Sequence, residues 1–250
     1  GRSAVTAVVM LLGMLYKSPK SLAVSLRDSW MFLGTGLCSI VFFNICYFTA
    51  MEWTTLSMAA ILLYTAPSIV MILSIILFKE SVTPRKAACL VLSFVGCVLV
   101  SGLGTGSMNA VGILAGMGAG LGYALYSIFG RYALAKYGPM TVTTWTFIIA
   151  SVGLAGFSHL QAMAAVCLAA PTAGLLFLCL GLVSTALPFS LYTEALNHME
   201  AGKASILASI EPLTSTLVGI AVFHESLSIL NSCGILCILG AVVLLNKKNG

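Results

Sequence analysis

Nine apolar stretches, each close to the length of a membrane crossing and set apart by polar residues, constrain what this 250-residue chain can fold into. They run near residues 4–16, 30–51, 56–78, 87–102, 111–132, 140–157, 172–193, 204–223 and 229–245. A hydrocarbon layer about 30 Å thick is crossed by roughly 20 mostly apolar residues of α-helix. Only 8% of the residues are charged and the mean hydropathy is +1.07, whereas soluble domains average about 25% charged. The pattern predicts an all-α polytopic membrane protein with nine transmembrane helices.

The first run is short, lies between Arg2 and Lys17, and opens on Gly1 rather than Met. It reads as the surviving partner of a helical hairpin, so ten helices are expected in the full protein. A signal peptide is the competing reading, but charge rather than a small-residue cleavage site follows the run. Of the eight cysteines, Cys38, Cys46, Cys89, Cys97, Cys179, Cys233 and Cys237 fall inside apolar spans and read as small hydrophobes; Cys167 sits in a connection. Cys233 and Cys237 share a helix face without a His or carboxylate beside them, a poor set of metal ligands.

The basic residues follow the topology. With the connection between residues 16 and 30 placed in the cytoplasm, Lys17, Lys20, Arg27, Lys79, Arg85, Lys86, Arg131, Lys136, Lys203, Lys247 and Lys248 all fall on that side, and Arg2 alone lies outside. The net charge of +5 is thereby explained without nucleic acid, and the C-terminus is expected in the cytoplasm of a multi-pass plasma-membrane protein.

A shift of 145 residues aligns 32–81 with 177–226 without a gap. Gly36 meets Gly181, Ser39 meets Ser184, Tyr47 meets Tyr192, Pro67 meets Pro212, and Phe78, Glu80 and Ser81 meet Phe223, Glu225 and Ser226. Shared oiliness does not readily align Gly, Tyr, Pro and Glu in one register. Two helices precede the aligned block in the second copy, so the unit is five helices: residues 1–104 form the first repeat, lacking its first helix, and 105–250 the second. An odd unit inserts its second copy upside down. Inverted repeats of this kind recur in secondary transporters.

The Pro67-to-Glu80 and Pro212-to-Glu225 spacing, the Glu211-Pro212 pair and the segment GILAGMGAGLGYALYSIFGR from Gly112 to Arg131 resemble the EamA family of the drug/metabolite transporter superfamily. The resemblance covers essentially the whole chain. It implies ten helices, both ends in the cytoplasm, a central cavity and movement of small metabolites. The absent first helix would normally help line that cavity.

Glu211 is the foremost candidate for function, since a carboxylate about 10 Å inside a span is costly unless it faces protein, water or a partner. It reads either as a proton-coupling or substrate-amine group, or as a structural carboxylate capped by hydroxyls. Pro212 and, in the opposite repeat, Pro67 each remove a backbone donor and free a carbonyl one turn back; Tyr64 and Thr65 lie beside Pro67. Glu80 and Glu225 read as turn and capping residues of the helices that follow them. Tyr123 and Tyr126 are expected on one face, opposite a stripe of Gly112, Gly116 and Gly120 that admits a close neighbour. They would offer rings and hydroxyls to a substrate or pack as aromatic core. Asn44, Ser184, Thr185 and Tyr192 are cavity candidates on polarity alone, and His159, His198 and His224 fall near connections.

The sequence holds neither a GxxxxGK[ST] loop nor a nucleophile–base pair, which argues against ATP-driven pumping and enzymatic catalysis. The expected function is secondary transport of a small metabolite or drug-like molecule by alternating access, with proton-coupled export among its forms and no cofactor. A scaffold or lipid scramblase is the alternative. The partners are the small-molecule substrate, protons and the bilayer; a second copy of the chain is a further candidate. The lack of intramembrane Lys or Arg disfavours highly anionic substrates.

Overall fold

The computed structural model describes residues 1–101, 109–156, 171–223 and 228–246, and among these it is helical throughout, without strands. In chain order the helices are α1 (Arg2–Lys17), α2 (Leu26–Trp53), α3 (Leu56–Phe78), α4 (Pro84–Ser101), α5 (Ala110–Leu134), α6 (Pro139–Ala155), α7 (Thr172–His198), α8 and α9 (Ile229–Asn246). α8 is divided into α8a (Ala201–Ala208) and α8b (Ile210–Phe223). α3 is divided likewise, into α3a (Leu56–Leu63) and α3b (Ala66–Phe78).

Every expected span corresponds to a helix, but not every one is a full-length crossing by itself. Among the described residues, α2, α3, α5 and α7 are long and apolar enough to cross a membrane. α1 has 16 residues and α6 has 17, about 25 Å at 1.5 Å per residue, and the break at Ser209 leaves α8 as pieces of 8 and 14 residues.

The two breaks have one cause. A proline at position i has no N–H for the carbonyl at i−4 and its ring crowds that carbonyl. α3a ends at Leu63, four residues before Pro67, and α8a ends at Ala208, four before Pro212. Leu63 and Ala208 are themselves 145 residues apart. α2 and α7 each contain a π-helical stretch, Gly34–Val41 and Leu182–Ala186; the same shift carries 37–41 onto 182–186. In α7, Pro188 follows within a turn, and the Thr185 hydroxyl donates to the Leu180 carbonyl at 3.0 Å.

By internal contacts the chain forms two compact units, residues 1–42 with 125–199 and residues 43–124 with 200–250. Each draws helices from both halves of the sequence.

In the first unit, Met31, Phe32, Ala133 and Val142 form a core with Tyr137 and Trp145 against it. α6 supplies a row of buried threonines. Thr143 donates to Thr193, Thr146 to Thr35 and Thr141 to the Ser21 carbonyl, at 3.2, 2.6 and 3.0 Å. Such interhelical bonds join helices where lipid gives no hydrophobic drive to associate. The α1–α2 connection is tied to the α5–α6 turn by Asp28, whose carboxylate takes Lys136 at 2.6 Å and the Tyr137 hydroxyl at 2.8 Å.

In the second unit α4 crosses α9 at close range. A Cβ built on Gly96 would lie 2.8 Å from the Gly234 carbonyl oxygen, and one on Gly234 would lie 2.8 Å from that of Gly96. Cys97, Leu213 and Ile238 pack beside this crossing, as do Met71, Cys89, Ile206 and Ala241. Gly116 and Gly120 of α5 lie against Leu62 and Thr65 of α3. Outward positions of many helices are large and apolar, among them Leu12, Leu114, Val152, Leu176, Leu236 and Val243, each at least 60% exposed, as expected of surfaces in contact with lipid.

Candidate functional site

The two proline breaks border one pocket inside the second unit. Leu63, Tyr64, Ala66 and Pro67 of α3 line it, with Tyr123 of α5 and Ser205, Ala208, Ser209 and Glu211 around the α8 break. Its volume is about 20 Å³ by the measure on which one water needs roughly 10–15 Å³. With its open mouth counted, the empty space is about 290 Å³.

Glu211 sits in the first turn of α8b, where unpaired backbone N–H groups favour a carboxylate. It is exposed rather than enclosed in the core. Tyr47 of α2 and Cys97 of α4 both lie near enough to feel its charge. An aromatic row reaches the pocket: Tyr47 stacks on Phe43 with ring centres 5.5 Å apart, and Phe43 meets Tyr123 edge-on at 6.2 Å. None of the described lining residues is Lys, Arg or His. A carboxylate, tyrosines and serine hydroxyls suit a proton, a water or a positively charged group.

Of the residues singled out by sequence, Tyr64, Pro67, Tyr123 and Glu211 are brought together here. Pro212 follows Glu211 and is buried. Thr65 donates to the Leu62 carbonyl at 2.7 Å, closing the α3 break rather than lining the pocket. Asn44 is buried on α2 in the same unit.

Tyr126, Thr185, Ser184 and Tyr192 belong to the first unit. The Tyr126 hydroxyl meets the Thr193 hydroxyl at 2.5 Å and its ring packs edge-on against Phe189 at 5.2 Å. Tyr192 shares a hydrogen bond with Ser127 at 2.8 Å. Thr185 is buried and spent on its own helix, while Ser184 is exposed on α7. The expectation that Tyr123 and Tyr126 share a face opposite the glycine stripe is therefore corrected. Three residues turn a helix by about 300°, so Tyr123 stays roughly 60° from Gly120 and faces the α3 break, while Tyr126 turns further and packs on α7.

The role of Glu80 is corrected too. Its carboxylate accepts from the Ala201 N–H at 3.3 Å and so caps α8a, whereas Thr83 accepts from Lys86 N at 3.3 Å and caps α4. Lys86, only 7% exposed, forms an ion pair with Glu200 and donates to the Ser81 carbonyl at 2.7 Å; Lys203 approaches Glu200 at 3.7 Å. Burial opposes ionisation of Glu200, but the hydrogen bonds and charges of Lys86 and Lys203 outweigh it and hold its carboxyl below the usual range. His198 pairs with Glu194 at 2.9 Å on the exposed end of α7. Cys167, His159, His224 and Glu225 lie outside the described residues.

Phe43, Ser205 and Ser209 are not singled out by the sequence, and Tyr47 and Cys97 enter there only as a repeat match and a small hydrophobe. Ser209 could have been found, since it is the residue that the 145-residue shift places on Tyr64.

The EamA-like transporter family is matched over residues 1–102 and 110–247. The chain belongs to that family. An uncharacterized transporter of Archaeoglobus fulgidus is 32% identical over 198 residues, covering 79% of this chain and 70% of that protein. The uncharacterized transporter YetK of Bacillus subtilis is 23% identical over 97% of this chain and 76% of its own length. A solved crystal structure shares the fold with a TM-score of 0.79 at 15% identity, over 98% of this chain and 85% of that one. The apolar helices and the EamA membership together make this a multi-pass membrane protein of a transporter family.

Proposed function

We propose that the chain is a secondary transporter of a small neutral or cationic metabolite or drug-like molecule, working by alternating access with Glu211 as the proton-coupling group. The observation that carries this reading is the pocket at the paired helix breaks, where the Glu211 carboxylate stands with Tyr64, Tyr123 and two serines and no described basic residue. A carboxylate inside a membrane span is costly to keep charged unless it faces protein, water or a partner, and this one borders a pocket that could admit them.

Two inverted five-helix repeats, 1–104 and 105–250, account for breaks and π-helical stretches recurring 145 residues apart. The plasma membrane is the proposed location, and a cytoplasmic C-terminus is supported by the distribution of Lys and Arg. It agrees with the ties between basic connections inside each unit, Asp28 to Lys136 in one and Lys86 to Glu200 in the other. Proton-coupled export and a homodimer are further parts of the proposal.

The test is flux in proteoliposomes under an imposed pH gradient, screened over neutral and cationic metabolites. Accumulation that follows the gradient and collapses with a protonophore supports the proposal. Flux indifferent to the gradient removes Glu211 from coupling, and lipid scrambling without solute flux refutes the transporter reading.

A further inference from the structure

Between its two ends, α8a joins a polar cluster to the pocket. At its N-terminal end Glu200 is the capping residue, Glu80 accepts from the Ala201 N–H, and the nearly buried Lys86 bridges Glu200 to the Ser81 carbonyl. A Cβ on Gly202 would lie 3.6 Å from the Glu80 carboxylate, so the cluster sits close against the first turn. At the other end Ser205, Ala208 and Ser209 form part of the pocket wall and Glu211 follows.

Eight residues of helix span about 12 Å, and Ala201, Gly202, Ala204, Ser205 and Ile206 are all buried, so the segment packs as one body. Because Pro212 interrupts the hydrogen-bond ladder at Ala208, α8a is not held in line by α8b. Its placement depends on its side packing and on the anchor at its start.

We infer that Glu80, Lys86 and Glu200 are positioning residues for the Glu211 pocket, setting through α8a where Ser205 and Ser209 stand around the Glu211 carboxylate and relative to Tyr64 and Tyr123. This rests on the reading of Glu211 as the group that takes up protons. The αL conformation of Lys79, with φ of 54°, ends α3b and turns the chain so that Glu80 follows directly into the cluster. Lys86 depends on Glu200, since the nearly buried ammonium would otherwise lose its ion-pair partner, whereas the partly exposed Glu200 also has Lys203 at 3.7 Å.

Protons themselves are the probe, so no transported substrate is needed. Infrared difference spectra of the full chain in lipid, recorded as pH is stepped, report the carboxyl band that Glu211→Gln removes. Tyr64 on α3 and Tyr123 on α5 share the pocket with this carboxylate, and Tyr47 on α2 and Cys97 on α4 lie within range of its charge; none of them is altered by the variants.

Lys86→Glu and Glu200→Lys should each move the midpoint of that band by about one pH unit, a tenfold change in proton affinity. The double reversal should bring it back, and Glu80→Gln, which keeps an acceptor for the Ala201 N–H, should perturb it less than Glu80→Ala. An unchanged midpoint in folded single variants, or a double reversal that folds and stays shifted, overturns the inference. If the single reversals do not fold, the Glu80 pair decides it: equal midpoints for Gln, Ala and the parent chain refute it. Difference spectra in which Glu211→Gln removes no titrating band instead defeat the assignment of the proton site, and the positioning role with it.

Discussion

Substituting Gly96 by alanine tests the closest helix crossing in the second unit. The new methyl carbon would stand 2.8 Å from the Gly234 carbonyl oxygen, 3.0 Å from the Ile238 nitrogen and 2.7 Å from an Ile238 side-chain carbon. Ile238 can rotate, but the two backbone atoms cannot, so α4 and α9 must separate by several tenths of an ångström. Alanine in a helix gains roughly 0.5–1 kcal/mol over glycine, while overpacking a filled site costs about 1–3 kcal/mol. With backbone as the obstacle the upper end applies, leaving Gly96→Ala less stable by roughly 2–2.5 kcal/mol, a fall of about 4–10 °C in melting temperature. Gly234→Ala should behave alike, because it meets the Gly96 carbonyl oxygen at the same 2.8 Å. Gly13 is the control, since nothing lies within 4 Å of its added Cβ, and Gly13→Ala should melt at or above the parent. The assay is thermal unfolding of the purified chain in detergent, followed by helical circular dichroism. Gly96→Ala melting no lower than Gly13→Ala would refute the close crossing.

Other substitutions probe the remaining parts of the account. Lys79→Gly should hold or raise the melting temperature, because only glycine takes φ of 54° freely, while Lys79→Val should lower stability by about 1 kcal/mol or more. Tyr126→Phe should cost about 1 kcal/mol by removing the bond to Thr193 and leave flux within about twofold; abolished flux in a folded variant would return Tyr126 to the list of substrate contacts. Glu200 is an acid held below its usual range, so its stabilisation is fully present above about pH 4.3 and is lost as pH falls through its lower folded value. Stability of the parent measured from pH 6 down to pH 3 should decline more steeply than that of Glu200→Gln; identical slopes would contradict the pairing with Lys86.

Much of the fold was legible because one solvent decides it. The spans follow from apolar length, and the breaks in α3 and α8 follow from Pro67 and Pro212 by the i−4 rule. The 145-residue register foretold that these breaks correspond. Less visible were features that depend on what a residue meets across space. Nothing local announces that Asp28 will reach Lys136 or that Lys86 will find Glu200, 114 positions away. Its position at a span end makes Glu80 look like a cap for the helix after it, yet it caps α8a, because the partner of a turn residue is set by tertiary placement. Tyr123 and Tyr126 were assigned to one face on spacing alone, and a helix turned through three residues leaves enough offset to send them to different neighbours. The threonines of α6 could have been noticed as TVTTWT, a hydroxyl-rich run inside an apolar span, which is the composition of a helix that bonds to its neighbours rather than to lipid.

The proposed pocket at the paired breaks and its proton-coupling role stand or fall on Glu211. The decisive measurement compares the parent chain with Glu211→Gln in proteoliposomes, at matched protein density and the same imposed pH gradient, using a solute identified in the flux screen. The account predicts gradient-driven accumulation by the parent and its loss in the variant, which should still fold and melt within a few degrees of the parent. Gradient-driven flux of parental size in Glu211→Gln would contradict it.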